Sequence, residues 1–171
     1  MKINKLLSLL FLIVCTIAFN SCEKKSSSDN ERELSLIEKN NIENVKKAYE
    51  LFSSHDTLMF EFFAEDIIEK QEPEPIIGKK ALSEFNKAFW KGFTDVRVDL
   101  DHIYAAGDYT FSSGHLRGTN DGEFPPMGLS KTGKKVDVDF VETIKWKDGK
   151  AVLSVPIMNE EKLMQQLGLV H

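Results

Sequence analysis

The sequence predicts an α+β domain, with amphipathic helices in its first half and a strongly bent, mainly antiparallel sheet in its second. Three observations carry this. Apolar residues recur at helical spacing from Leu36 to Gly92, they alternate with polar ones from Val96 to Trp146, and Asp148-Gly149 joins two alternating stretches. Helices in one block and strands in another describe helices laid on one face of a sheet rather than interleaved with it. Three helices packed in that way leave a cone with a cavity, and a short helix follows the last strand.

The chain opens with a different kind of segment. Met1 to Lys5 holds two lysines and no acid, and Leu6 to Phe19 is an apolar run broken only by Ser8 and Thr16. This is the layout of a secretory signal peptide, and the run is shorter than the roughly 20 apolar residues a spanning helix needs. Asn20-Ser21-Cys22 then places a small residue before a cysteine, and polarity rises abruptly through EKKSSSDNERE. The passage resembles the lipobox of bacterial lipoproteins, in which the peptide is cut before a cysteine that carries lipid. On that reading residues 1–21 are a lipoprotein signal peptide and Cys22 is lipidated. The product then works in the cell envelope, lipid-anchored to a membrane and facing periplasm or exterior. The bland alternative is a stray cysteine beside an ordinary cleavage site. Residues 22–34 are charged and serine-rich, which describes a flexible linker, and 35–171 form the folded domain.

Within that domain each element has a local reason. Ile42, Val45, Tyr49 and Phe52 form one helical stripe with Ala48 beside them. A short second helical piece covers about Thr57 to Phe63, with His55 and Asp56 at its start, and a strand begins at Ile67 and Ile68. The two prolines of QEPEP (residues 71–75) interrupt regular structure. After Gly78 a third helix puts Leu82, Phe85, Ala88 and Phe89 on one face and ends near Gly92. Val96, Val98 and Leu100 alternate with Arg97, Asp99 and Asp101, a strand with one buried face. Tyr109 to Arg117 is a second such strand, and Gly118 to Lys134 is a polar loop. A long strand then carries Val136, Val138, Phe140, Glu142, Ile144 and Trp146 on one face. Asp148-Gly149 supplies a tight hairpin turn, and the return strand runs from Lys150 to Val155 and stops at Pro156. Asn159 caps a last helix, with Glu160 and Glu161 in its first turn.

Composition narrows the function. Cleavage after Ser21 removes Lys2 and Lys5 and no acid, which moves the net charge from −5 to −7. An acidic domain without a basic cluster argues against nucleic acid as a partner. Cys15 leaves with the signal, so the mature chain keeps only Cys22 and has neither an internal disulfide nor a thiolate metal site. None of the four histidines has ligand spacing to a second histidine or carboxylate, so no metal site is expected.

Several short motifs recur together in one order. Gly78-Lys79-Lys80-Ala81-Leu82 precedes a helix, Asp95-Val96-Arg97-Val98 opens a strand, and Gly107-Asp108 precedes the next. The loop GTNDGEF, Thr132-Gly133-Lys134, WKDGK and the tail MQQLG complete the set. In this order they resemble the SnoaL-like polyketide cyclases, or ester cyclases, of the nuclear transport factor 2-like superfamily, over roughly residues 38 to 170. The resemblance implies a cone-shaped α+β barrel with a pocket open at one end. It also implies cofactor-free ring closure by intramolecular aldol addition, with an aspartate and a histidine moving the protons. Here the aspartate position falls on Pro156 and the histidine position on Glu142. Asn120 stands where the family's loop commonly has a histidine, and Asn159 where many members carry an aspartate. Many superfamily members pair through the exposed sheet face, so a homodimer is expected by analogy.

The residues themselves suggest where chemistry could lie. Glu142 interrupts an apolar strand face, where lost hydration pushes a carboxyl's pKa upward and makes a general base near neutral pH. The alternative is a structural glutamate bonded to a basic partner, or a bulge that turns it outward. His115 and Arg117 share a strand face with Tyr109, Phe111 and Ser113. On a pocket face, His115 exchanges protons and Arg117 holds an anion or pairs with Glu142; on an outer face both are ordinary surface residues. Phe140, Trp90, Tyr109 and Asn120 complete the expected ligand contacts, with Trp90 and Phe89 also suited to packing. The expected function is a membrane-anchored domain holding a small, partly apolar ligand, with acid–base chemistry on Glu142 and His115. The alternative is a non-catalytic association module of a cell-envelope complex. Mass spectrometry of the membrane fraction tests the anchor: the expected species begins at a lipid-modified Cys22, and an unmodified Cys22 contradicts it.

Overall fold

Ser35 starts the first helix for a reason visible in its side chain. Its Oγ accepts from the Glu38 backbone N–H at 3.3 Å, and Glu38 Oε2 accepts from the Ser35 N–H at 2.8 Å. This reciprocal capping box satisfies two otherwise orphaned donors. The same carboxylate reaches further: Glu38 Oε1 accepts from the Gly107 N–H at 2.8 Å. One buried side chain thereby caps a helix and docks it on a strand turn.

The computed structural model describes residues 32–170. The signal segment, Cys22, most of the linker and His171 lie outside the described residues. The elements run α1 (Leu36–Ser53), a 3-10 helix (Thr57–Phe62), β1 (Phe63–Glu69), β2 (Ile76–Ile77) and α2 (Lys79–Gly92), followed by β3 (Arg97–Ala106) and β4 (Tyr109–Thr119). A 3-10 turn (Pro125–Met127), β5 (Lys135–Lys147), β6 (Lys150–Met158) and α3 (Glu160–Leu167) complete the fold. Among the described residues no helix is long and apolar enough to cross a membrane.

The second helical piece differs from its expected form. It is a 3-10 helix capped by Asp56, whose Oδ1 accepts from Leu58 N–H at 2.9 Å, while His55 stacks on Trp90. Two α-helices and this turn therefore stand where three helices were expected before the main sheet. The last helix is as its cap predicts: Asn159 Oδ1 accepts from Lys162 N–H at 3.0 Å.

The six strands form one mixed sheet in the order β2-β1-β6-β5-β4-β3. All pairs are antiparallel except β1 with β6. The two edges, β2 and β3, do not pair, so the expected barrel is an open sheet. Helices cover its concave face instead, with α1 packed on β3 and β4, α2 on β1 and β2, and α3 on β5. Register slips in β1, between Leu100 and His102 of β3, and near Trp146 bend the strands around those helices. At the β5–β6 turn, Asp148 and Gly149 both take positive φ (51° and 74°), as a two-residue hairpin requires.

Pro156 does not end its strand; β6 continues to Met158. The reason lies in the pairing. Asn159 N–H donates to Asp139 O, and alternation along the ladder puts Pro156, opposite Glu142, at a position that gives β5 no hydrogen bond. On its other side the pairing with the β1 chain closes with Lys70 N–H donating to Ser154 O. Pro156 stands where that pairing ends, a place where proline is tolerated.

Replacing Glu38 with Ala removes the carboxylate half of the capping box and leaves the Ser35 and Gly107 N–H groups without this acceptor. The expected cost is about 2 kcal/mol, read as a lower urea midpoint with an unchanged slope.

Candidate functional site

The inward face of the sheet and the helices over it enclose a cavity of about 240 Å³. Its lining is mostly apolar: Val45 and Phe52 from α1, Met59 from the 3-10 helix, Phe85 and Phe89 from α2, and Phe140 and Ile144 from β5. Period-two alternation along β5 puts Glu142 on the same face as those last two residues. Cross-strand register then sets Glu142 between Ser112 of β4 and Pro156 of β6, and sets Ile144 opposite Ser154.

A small polar patch forms around that carboxyl. Tyr49, projecting from α1, donates its hydroxyl to Glu142 Oε2, and Ser154 donates to Oε1 at 2.7 Å. Ser112 hydrogen-bonds the Tyr49 hydroxyl. On the far side of Ser154, the carboxyl of Glu69 at the end of β1 lies 3.4 Å from the same hydroxyl. Two carboxyls from the strands on either side of β6 therefore share one serine.

Electrostatics follow from this crowding. Burial raises the Glu142 pKa, and the hydrogen bonds from Tyr49 and Ser154 oppose that rise. Glu69 is pushed up to about 8, by burial first and by the charge of Glu142 second. Tyr49 is held well above the usual phenol range by burial and by its carboxylate neighbour. Two carboxyls this close cannot both ionise cheaply, so near neutral pH they hold one proton between them. Glu142 has the donors that suit an anion, and Glu69 is the partner that keeps the proton. Paired carboxyls in unequal settings supply one acid and one base.

The other expected site residues lie elsewhere. His115, Arg117 and Tyr109 point to the outer face of the sheet, because the inward positions of β4 are Thr110, Ser112, Gly114 and Leu116. His115 Nδ1 lies 2.9 Å from Asp137 Oδ1 and 3.3 Å from Asp139 Oδ1, and its Nε2 lies 3.5 Å from Asp101 Oδ2. Arg117 bridges Asp137 at 2.9 Å and Asp99. Neither residue reaches the cavity, so His115 cannot be the proton partner of Glu142 there and Arg117 does not pair with it. Tyr109 is partly exposed and stacks on Phe111. Trp90 is core, packed on Phe52, Phe60 and His55, and does not line the cavity. Asn120 is fully buried as a loop staple: its amide nitrogen donates to Gly92 O and Gly122 O, and its oxygen accepts from Thr132 N–H. That spends its hydrogen bonds on backbone and leaves none for a ligand. Glu142 and Phe140 alone of the expected set line the cavity.

Three residues at the site went unsingled in the sequence. Tyr49 read as one more member of an apolar stripe. Ser154 is an ordinary strand serine by pattern. Glu69 did carry a signal, since it is two residues from Ile67 and so shares its inward face. Among the described residues no group of His, Cys, Asp or Glu is placed to hold a metal ion.

The pair predicts a specific pH dependence of stability. The folded Glu69 keeps its proton up to about pH 8, whereas in the unfolded chain it releases it near 4.3. Between those values the native state binds more protons, so stability falls as pH rises and levels off above about 8. Glu69→Gln removes most of this slope, making the variant the more stable chain at pH 8.5 by a few kcal/mol in urea unfolding. Parallel pH profiles for the two chains contradict the assignment.

Comparison with known proteins places this geometry. The sequence pattern of one family, the SnoaL-like polyketide cyclases, matches residues 43–167. Among solved structures, the chain is similar to a protein of Jannaschia sp. CCS1 assigned to the SnoaL-like polyketide cyclases. The two are 20% identical with a TM-score of 0.74, covering 82% of this chain and 99% of that one. It is also similar to IdmH, a candidate polyketide cyclase from Streptomyces antibioticus (22% identity, TM-score 0.63, 74% and 97% covered). A candidate polyketide cyclase from Xanthomonas campestris gives 18% identity and a TM-score of 0.70, with 77% and 98% covered. No curated protein matches the sequence. At these identities the solved structures speak for the fold, and the family pattern for descent: this chain belongs to the SnoaL-like polyketide cyclase family.

Proposed function

We propose that this chain is a membrane-tethered SnoaL-like domain that holds a small, partly apolar molecule in its cavity and moves protons on it without a cofactor. The observation that carries the reading is Glu142, a carboxyl lining an apolar cavity with Tyr49 and Ser154 bonded to it. The cavity is not filled by the domain's own phenylalanines, as it would be in a purely structural module.

The chemistry suited to this site is isomerisation, cyclisation or hydration. Glu142 accepts a proton from a carbon made acidic by a neighbouring carbonyl. Tyr49, freed from Glu142 as that carboxyl protonates, donates to the oxygen on which charge develops. The proton then returns from Glu142 to another atom of the same molecule. This differs from the family's aspartate and histidine pair, whose positions are Pro156 and Glu142 here. The lipid on Cys22 would hold the domain at a membrane in the cell envelope, since each buried CH₂ is worth about 0.8 kcal/mol.

A second reading, an association module, is favoured by one feature of the opposite face. Tyr104, Phe111, Val141 and Ile157 are exposed there on four consecutive strands. A second copy of this chain is the partner expected by analogy with the superfamily.

Native mass spectrometry of the purified domain separates the readings. The expected result is a co-purifying small molecule whose occupancy falls at least tenfold in Glu142→Gln, a change that keeps an acceptor oxygen for one of Tyr49 and Ser154 but cannot act as a base. An unchanged ligand profile in that variant, or a ligand-free dimer in both chains, favours the association reading.

A further inference from the structure

We propose that the cavity selects a ligand whose polar head is a protonated amine over a ligand of the same shape bearing an alcohol or a carboxylate. The proposal rests on the cavity being the ligand site and names the chemistry that site prefers.

The first observation is the charge of the lining. Glu69, Glu142 and Glu160 line the cavity, and among the described residues no lysine, arginine or histidine does. An anionic ligand would meet carboxyls and no cation. Lost hydration inside an apolar wall would make that mismatch costly.

The second is the hydrogen-bond count at the carboxyl pair. Ser154 has one hydroxyl proton to give, and its shorter contact, 2.7 Å, is with Glu142. Glu142 also receives the Tyr49 hydroxyl. Glu69 is left with the 3.4 Å contact to Ser154 and free acceptor positions facing the cavity. The other donors that line the cavity, the amides of Gln71 and Asn86, are neutral. An ammonium supplies three donors together with the positive charge.

The groups around the pair offer no internal substitute. Tyr49 bonds the pair from α1 and Ser154 from β6, Ser112 of β4 bonds Tyr49, and Gln71, Asn86 of α2 and Glu160 of α3 line the same cavity. None of these is cationic. A bound ammonium therefore lets both Glu69 and Glu142 ionise, and the proton they shared leaves to solvent. The exchange balances: the singly protonated pair and the ammonium give the doubly ionised pair, the ammonium and one free proton.

The size of the cavity, about 240 Å³, matches roughly eight waters, which sets the scale of the probes. Cyclohexylmethylamine, cyclohexylmethanol and cyclohexanecarboxylate share one ring and differ in the head group. Calorimetry of the intact mature domain at pH 7 is expected to rank the amine first, at least about tenfold tighter than the alcohol, with the carboxylate weakest. Because binding expels a proton, affinity for the amine rises as pH approaches about 8 and then levels. Titrations in buffers of different ionisation enthalpy count that proton. In Glu69→Gln the amine's advantage and the proton release both fall away, while binding of the alcohol shows that the cavity is intact.

Equal affinity for amine and alcohol, or no proton released, overturns the proposal and leaves the ligand site standing. Preferential binding of the carboxylate overturns it as well. Failure of all three probes to bind the unaltered domain overturns both this proposal and the cavity as a ligand site.

Discussion

A carboxylate placed in an apolar wall must be given hydrogen-bond donors or it will not stay ionised there. Glu142 receives them from two directions, from Tyr49 on α1 and from Ser154 on β6. That demand ties the first helix to the middle of the sheet, over 93 residues of sequence. It also brings the end of β1 to the site, because Ser154 is the β6 residue opposite Glu69. The cavity's polar patch is thus a product of one side chain's solvation requirement, met by three separate elements.

The sheet that carries this patch has two faces of different character. Inward, β4 presents small and polar residues beside the phenylalanines of the helices. Outward, Asp99, Asp101, Asp137 and Asp139 surround His115 and Arg117 at one end, while Tyr104, Phe111, Val141 and Ile157 lie exposed elsewhere. The outward ion pairs involve largely exposed carboxylates and add little to stability. Strand alternation, and not these pairs, turns His115 away from the cavity. The titratable groups that line the cavity are carboxyls and a phenol.

The fold reuses the family's scaffold with different occupants at its reactive positions. Where ring closure in the family relies on an aspartate and a histidine, proline and glutamate stand here. Pro156 is accommodated because its position opposite Glu142 gives β5 no hydrogen bond and the pairing with the β1 chain ends beside it. Glu142 is accommodated because Tyr49 and Ser154 supply its donors. The family's fold is preserved while a few inward residues of its cavity differ.

Much of this was legible in the sequence, for local reasons. The helical stripe through Val45 and Tyr49, the alternation along β5, the Asp148-Gly149 turn and the Asn159 cap each depend on a few neighbouring residues. So does the inward aim of Glu142, which period-two alternation favours and the regular β4–β5 register keeps. Tertiary structure decided the rest, because it depends on which strands become neighbours. The face to which His115 and Arg117 belong was undetermined until β4 paired with β3 and β5. The fate of Asn120 rested on backbone groups of Gly92, Gly122 and Thr132, two of them from other segments of the chain. Glu69 became half of a proton-sharing pair only because β1 runs parallel to β6, a contact 85 residues apart. Sequence alone therefore determined the elements and the one carboxyl turned inward, since periodicity is a local property. The partners that give that carboxyl its chemistry were decided by packing, since strand order is not.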